Sequence, residues 1–163
     1  MYLEKLKYAT IAASLAVLSA CDGAPATNAP GTAVQIQKAD GVEVTLTSVE
    51  EGDSVGPAGL IPKAGEGAVY VTATYTLKNT SDSSFPMDKW PQFKLQDGAG
   101  KQLNPELFAS TAVSAAANPS WAETLNPGLS TEARLVWRIA KTSFDRKTWK
   151  MVSAKPALTF PLK

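Results

Sequence analysis

After residue 34 the chain alternates apolar and polar residues with a period of two, the spacing of a strand that is buried on one face. The clearest case is "VYVTATYTLKN", in which one face carries Val69, Val71, Ala73, Tyr75 and Leu77. The segment "VEVTLTSV" repeats the pattern with Val42, Val44 and Leu46 on one face. Its alternation slips at Ser48, so that Val49 changes face, and this slip predicts a bulge or a strand end.

Shorter segments with strand character follow or precede these two, namely "AVQIQ", "QFKLQ", "TEARLVWRI", "WKMVS" and "ALTFPL". Turn signals separate them: Asp97-Gly98 and Gly100 suit a hairpin turn, and Pro127-Gly128 precedes "TEARLVWRI". Pro161 predicts an edge or a terminus, because proline has no N–H to give to a sheet. About seven short strands separated by turns predict an all-β fold, an antiparallel β-sandwich over residues 34–163. The Ala-rich segment 106–118 could form a short helix or a loop crossover.

The N-terminal stretch has the layout of a signal peptide rather than of a fold element. Lys5 and Lys7 precede an uncharged run from Tyr8 to Leu18, and about eleven apolar residues are too few to span a bilayer, which needs roughly twenty. We therefore expect residues 1–20 to be a signal peptide.

The only cysteine of the chain, Cys21, follows this run in "LSAC". The motif resembles the bacterial lipobox, in which a leucine and two small residues precede a cysteine that receives a diacylglyceryl group. The alternative is an unmodified, buried thiol. Two or three acyl chains would anchor the protein stably, whereas one binds a bilayer only marginally. Asp22 resembles the signal that keeps enterobacterial lipoproteins on the inner membrane, although the choice between inner and outer membrane stays open.

Residues 22–33, "DGAPATNAPGTA", contain no large apolar side chain. Such a segment cannot bury enough surface to offset the entropy of ordering it, so we expect a flexible tether. Lipidated Cys21 and this tether would hold the sandwich close to a membrane, facing the periplasm or the outside of the cell.

Composition excludes several function classes. The full chain has 16 Lys plus Arg and 15 Asp plus Glu, and the loss of Glu4, Lys5 and Lys7 with the signal peptide leaves 14 of each. A neutral domain lacks the positive charge that nucleic acid binding requires. With no histidine and one cysteine, the usual general base, the common zinc ligand and a nucleophile–histidine pair are all missing. We expect neither an enzyme nor a bound cofactor.

Two groups of residues are candidates for binding. Trp90 and Trp121 lie in Pro-containing loops, where exposed aromatic side chains would form a partner or ligand patch. They could equally close one end of the core, and Trp137 and Trp149, which fall in strands, are predicted to be core residues. The acidic segment "EEGDS", with Glu50, Glu51 and Asp53, could bind Ca²⁺ or form a solvated turn. Its spacing is not that of a dedicated calcium loop, so no metal site is predicted.

The strand and turn motifs together resemble a known family. "GAVYVTATYTLKNTSDSSF", "FKLQDGAGK" and "LNPGLSTEARLVWRI" match, in order and spacing, an immunoglobulin-like domain of unknown function found in bacterial lipoproteins and secreted proteins. The sandwich of a secreted mycobacterial immunoprotective antigen is similar. The resemblance covers about residues 40–140 and implies an immunoglobulin-like β-sandwich but no catalytic site. We expect a membrane-anchored envelope protein that acts as a binding or protein-interaction module, or alternatively one that binds a small molecule or Ca²⁺.

Overall fold

A computed structural model describes residues 34–163 of the chain. These residues form two four-stranded antiparallel sheets and one α-helix. In chain order the elements are β1 (Gln35–Ala39), β2 (Val42–Gly52), β3 (Ala68–Asn79), a 3₁₀ turn (Met87–Lys89), β4 (Lys94–Gln96), β5 (Gln102–Leu103), α1 (Leu107–Ala117), β6 (Ser130–Ala140), β7 (Lys150–Ala154) and β8 (Ala157–Pro161). Sheet 1 has the order β1-β2-β3-β6, and sheet 2 has the order β5-β4-β7-β8. The predicted signal peptide, Cys21, Asp22 and the tether lie outside the described residues.

The predicted all-β, antiparallel sandwich is confirmed, with eight strands instead of about seven. The additional strand is β5, which has two residues and is too short to leave a periodic pattern. Segment 106–118, which the sequence left as a helix or a crossover, contains α1. Pro161 lies in β8, an edge strand of sheet 2, as predicted. Of the expected turn glycines, Gly100 and Gly128 have positive φ, and Gly98 does not.

The main core lies between the two sheets and follows the alternation of the sequence. The inward residues of β2 and β3 are all buried, and the pairing of these strands shifts between Leu46 and Ser48, where the pattern slips. Trp137 and Trp149 are buried in this core, as predicted. Phe93 joins the sheets through edge-on contacts with Tyr75 and Phe160, at ring-centroid distances of 5.3 Å and 6.0 Å. Such aromatic pairs stabilise beyond the area that they bury.

A second, smaller core covers the outer face of sheet 1. It consists of Ile61, Ala64, Tyr70, Ala109, Val113 and Val136, which come from α1, from the segment after β2 and from the outward positions of β3 and β6. Tyr70 lies on the outward face of β3, yet it is only 3% exposed, and its hydroxyl donates to the carbonyl of Pro62 at 3.0 Å. Alternation alone therefore predicts the wrong environment for this residue.

Side chains pair with the backbone at both edges of sheet 1. On β6, Ser114 Oγ accepts from the N–H of Arg134 at 2.8 Å and donates to its carbonyl at 3.0 Å, while Ser110 Oγ accepts from the N–H of Val136 at 3.0 Å. On the other side, the amide of Gln37 in β1 pairs with the N–H and carbonyl of Thr159 in β8. Gln35 Nε2 donates to the carbonyl of Pro161. These bonds join β1 of one sheet to β8 of the other.

Asn79 ends β3 and is fully buried. Its Nδ2 donates to the carbonyls of Ser83 and Leu125 at 2.7 Å and 2.9 Å, and its Oδ1 accepts from the N–H and hydroxyl of Ser81. Asn79 is therefore the residue at which β3 turns into the following loop. A buried amide with all of its bonds satisfied also fixes the loops around it.

Candidate functional site

Trp90 and Trp121, the aromatic residues singled out in the sequence, lie together at one end of the sandwich. Their rings meet edge-on with centroids 6.4 Å apart. Trp90 is only 5% exposed and belongs to the main core, while Trp121 is half-buried against it. The sequence left open whether these residues are exposed or close one end of the core, and Trp90 is buried in the core. A bridge between Phe85 and Leu125 holds the two tryptophan-bearing loops together.

A cleft of about 270 Å³ opens beside these two tryptophans. Its walls are mainly apolar and include Tyr75, Phe93, Trp90, Trp121 and Leu135. Its rim carries Met87 and Leu107, which are 45% and 81% exposed, and Phe108, beside Leu107 on α1, is 63% exposed. An exposed apolar rim around a recess lined by aromatic residues is typical of an interaction site.

Polar side chains also contribute to this cleft, and the N–H of one wall residue is unsatisfied. Within the part of the chain that the structure describes, Trp90 Nε1 is the one buried side-chain nitrogen or oxygen that has no hydrogen-bond partner. Nearly all buried polar groups of native proteins have a partner, so this N–H requires an explanation. Burial raises the pKa of the Tyr75 hydroxyl above its ordinary value of 10, so this residue stays neutral. Arg134 and Asp88 supply the charges at the margin.

The acidic segment proposed for Ca²⁺ forms an ion pair instead of a cluster. Arg146 Nε lies 2.8 Å from Glu51 Oε1, and its Nη2 donates to the carbonyl of Val49 at 2.6 Å. Among residues 34–163, no three acidic side chains converge where they could hold a metal ion. Arg146 lies in the turn between β6 and β7. Its partner is 95 positions away in sequence, so no local pattern reveals the pair.

The fold and the cleft define a class of protein, a small two-sheet β-sandwich with an apolar recess at one end. Its family is known: residues 33–149 match the model for DUF4352, a domain of unknown function, and the chain belongs to this family. The predicted resemblance to a domain of unknown function is confirmed at this level.

Individual relatives support the same assignment. The chain is 30% identical over 117 residues to the uncharacterized protein YxkC of Bacillus subtilis. This match covers 70% of the chain and 65% of YxkC, somewhat less than two thirds of that protein's length.

Solved structures agree with the fold. A conserved hypothetical protein from Bacillus anthracis superposes with a TM-score of 0.69 at 21% identity, covering 79% of this chain and 92% of that one. An uncharacterized β-sandwich protein from Clostridium difficile gives a TM-score of 0.52 at 12% identity, with coverage of 79% and 90%. At these identities the likeness concerns the fold alone.

The helices of the described region do not cross a membrane. Between residues 34 and 163, none is long and apolar enough to do so.

Proposed function

We propose that this protein is a lipid-anchored lipoprotein of the bacterial cell envelope whose β-sandwich is a non-catalytic protein-interaction module. Acylated Cys21 would supply the anchor, with Asp22 as a sorting signal, and residues 22–33 the tether. A catalytic role is not proposed, because the chain has no histidine and its single thiol is the proposed site of acylation.

The single observation that carries the interaction role is the exposed apolar rim of the cleft, which consists of Met87 and Leu107 with Phe108 beside them. The recess behind this rim is lined by Trp90 and Trp121, and aromatic side chains are enriched at the centres of protein interfaces. A partner that covers the rim would remove these apolar side chains from water. The site therefore suits an apolar side chain of a protein partner.

The surface around the cleft favours a protein partner over a free small molecule. The exposed side chains of Leu107 and Phe108 extend the apolar surface beyond the recess. A recess with an exposed apolar rim matches the anatomy of a protein interface, in which a central anchor is surrounded by weaker contacts.

Membrane fractionation of the full chain with Cys21→Ser tests the anchor. We expect the native protein in the membrane pellet, with acyl mass on a chain that begins at Cys21. Because Cys21→Ser also blocks processing and retains an apolar leader, which a carbonate wash does not remove, the acyl mass rather than the pellet alone reports the anchor. A native product with Met1 intact, or with an unmodified residue 21, contradicts the anchor.

Photo-crosslinking in intact cells tests the cleft. A benzophenone amino acid replaces Leu107 on the rim or, as the control, Leu129, which is 55% exposed and does not line the cleft. We expect a discrete adduct from position 107 that disappears when Trp121→Ala is added, and no such adduct from position 129. Equal labelling from both positions contradicts the proposal. A change in tryptophan emission on adding Ca²⁺ or a small aromatic acid would favour the small-molecule alternative instead.

A further inference from the structure

The outer face of sheet 2 carries a group of lysines with no covering element. Lys94 and Lys150 lie on the outward positions of β4 and β7, and Lys155 lies in the turn between β7 and β8. The register pairs Lys94 with Val152 and Gln96 with Lys150, so the two lysines are diagonal neighbours on one face. Like charges in this arrangement repel one another, which makes the face a site for a compensating negative charge.

Of the residues that the structure describes, no acidic side chain lines the hollow that these lysines share, although Lys155 also lines a neighbouring recess together with Asp40 and Asp88. The three lysines line a hollow of about 490 Å³ together with Gln92, Gln96 and Gln102. No Asp or Glu is among the described residues that line this hollow. Asp97 and Asp145, in turns near the ends of β4 and β7, use their carboxylates to accept backbone N–H groups. The ion pairs found between residues 34 and 163 leave the three lysines out, since they join Lys38 to Glu43, Arg134 to Glu132 and Arg146 to Glu51.

The start of the described chain lies close to this face. The described chain begins at Val34 and enters β1, whose Gln35 and Gln37 bond to β8 at the edge of sheet 2. Residues 22–33 separate this point from Cys21, and a chain of that length extends at most about 40 Å. The lysine face therefore lies beside the point where the tether joins the domain.

We propose that the outer face of sheet 2 docks on the anionic phospholipid headgroups of the membrane that holds the anchor. This inference rests on the proposed function, because the tether keeps the face within reach of the bilayer. The lysines would bind phosphate groups, and the glutamine amides would donate further hydrogen bonds. Each lysine near an anionic surface strengthens binding about five-fold at physiological ionic strength.

Lysine footprinting on the lipidated full-length protein tests the docking. The protein is reconstituted into vesicles of phosphatidylcholine alone or of phosphatidylcholine with phosphatidylglycerol, and amine acetylation rates are measured by mass spectrometry. We expect Lys94, Lys150 and Lys155 to react several-fold more slowly on the anionic vesicles, and this protection to disappear in about 0.5 M salt, where the Debye length falls below about 5 Å. Lys63 and Lys141, exposed residues next to the elements of sheet 1, serve as internal controls and should not change.

Replacing lysines by glutamine tests whether their charge causes the protection. The double substitution Lys94→Gln and Lys150→Gln should remove most of the protection of Lys155, and the matched double substitution Lys63→Gln and Lys141→Gln should leave it intact. Equal acetylation rates on neutral and anionic vesicles overturn the docking proposal, as does protection that survives high salt. Protection of the three lysines in cells but not on anionic vesicles would point to an acidic protein partner and would also overturn it.

Failure of the anchor gives a different outcome from failure of the docking. A protein without acyl mass at Cys21 that does not float with neutral vesicles contradicts the proposed function. A protein that floats with both kinds of vesicle, while its lysines react equally on each, contradicts the docking alone.

Discussion

The two outer faces of this sandwich differ in whether another element covers them, although the strands of both sheets alternate apolar and polar residues. The outer face of sheet 1 is covered by α1 and by the segment after β2, so that Tyr70 and Val136 are buried there. The outer face of sheet 2 has no such cover, and its outward residues include Lys94, Lys150 and Thr159. The comparison shows that an outward strand position can serve stability on one sheet and remain available for binding on the other.

Removing one side chain from each face gives the largest expected contrast. Val136→Ala should lower the free energy of unfolding by about 2–3 kcal/mol, because it deletes two fully buried methyl groups and leaves a cavity. Val152→Ala, at a half-buried outward position of sheet 2, should cost less than about 1 kcal/mol, which is the range of strand propensity alone. Urea unfolding of both variants measures the difference. Equal losses would mean that α1 does not cover sheet 1 in solution.

Deleting the hydroxyl of Ser114 tests whether the covering helix also satisfies the edge of sheet 1. Ser114→Ala leaves the N–H and carbonyl of Arg134 without this partner, and we expect a loss of about 2 kcal/mol after the small gain in helix propensity. Thr111→Ala, on the exposed side of the same helix, is the matched control and should be nearly neutral. Hydrogen exchange should accelerate at the Arg134 amide in Ser114→Ala only. An unchanged exchange rate there would contradict the bond.

The smallest expected effect on stability comes from removing one charged side chain from the outer face of each sheet. The hydrogen bond from Lys38 holds the pKa of Glu43 below its ordinary value of 4.5. A depressed carboxyl pKa contributes stability above the unfolded-state value, and this contribution is lost as the pH falls through the folded-state value. Glu43→Gln should therefore be slightly less stable than the native protein at pH 7, and the gap should shrink as the pH falls below the ordinary carboxyl value of 4.5. Lys94→Gln, on the uncovered face, should show no such closing gap in the same denaturation series.

The strands of both sheets could be predicted because alternation is a local property. The inward residues of β2, β3 and β6 face the main core, and even the bulge at Ser48 follows from the order of apolar residues. The second core could not be predicted in the same way. It depends on α1 packing beside β6, and a sequence pattern does not specify which outward face a helix will cover.

The candidate site was predicted only in part. Trp90 and Trp121 do lie together, but their loops meet through the Phe85–Leu125 bridge, a pairing of residues 40 positions apart. The inward turn of Trp90 and its unsatisfied N–H are tertiary properties that the loop composition does not encode. The pairing of Arg146 with Glu51 was missed for the same reason.

The side-chain hydrogen bonds along the strand edges affect how neighbouring copies of the protein can associate at a membrane. Copies of a protein tethered in one membrane, as proposed here, meet at high local concentration, and a bare strand edge would recruit neighbours into a growing ribbon. Ser110 and Ser114 already occupy donor and acceptor groups of β6, and Gln35 and Gln37 do the same on β8. A neighbouring copy would therefore find the groups of β6 and β8 that these side chains bond already occupied, which disfavours edge-to-edge pairing there.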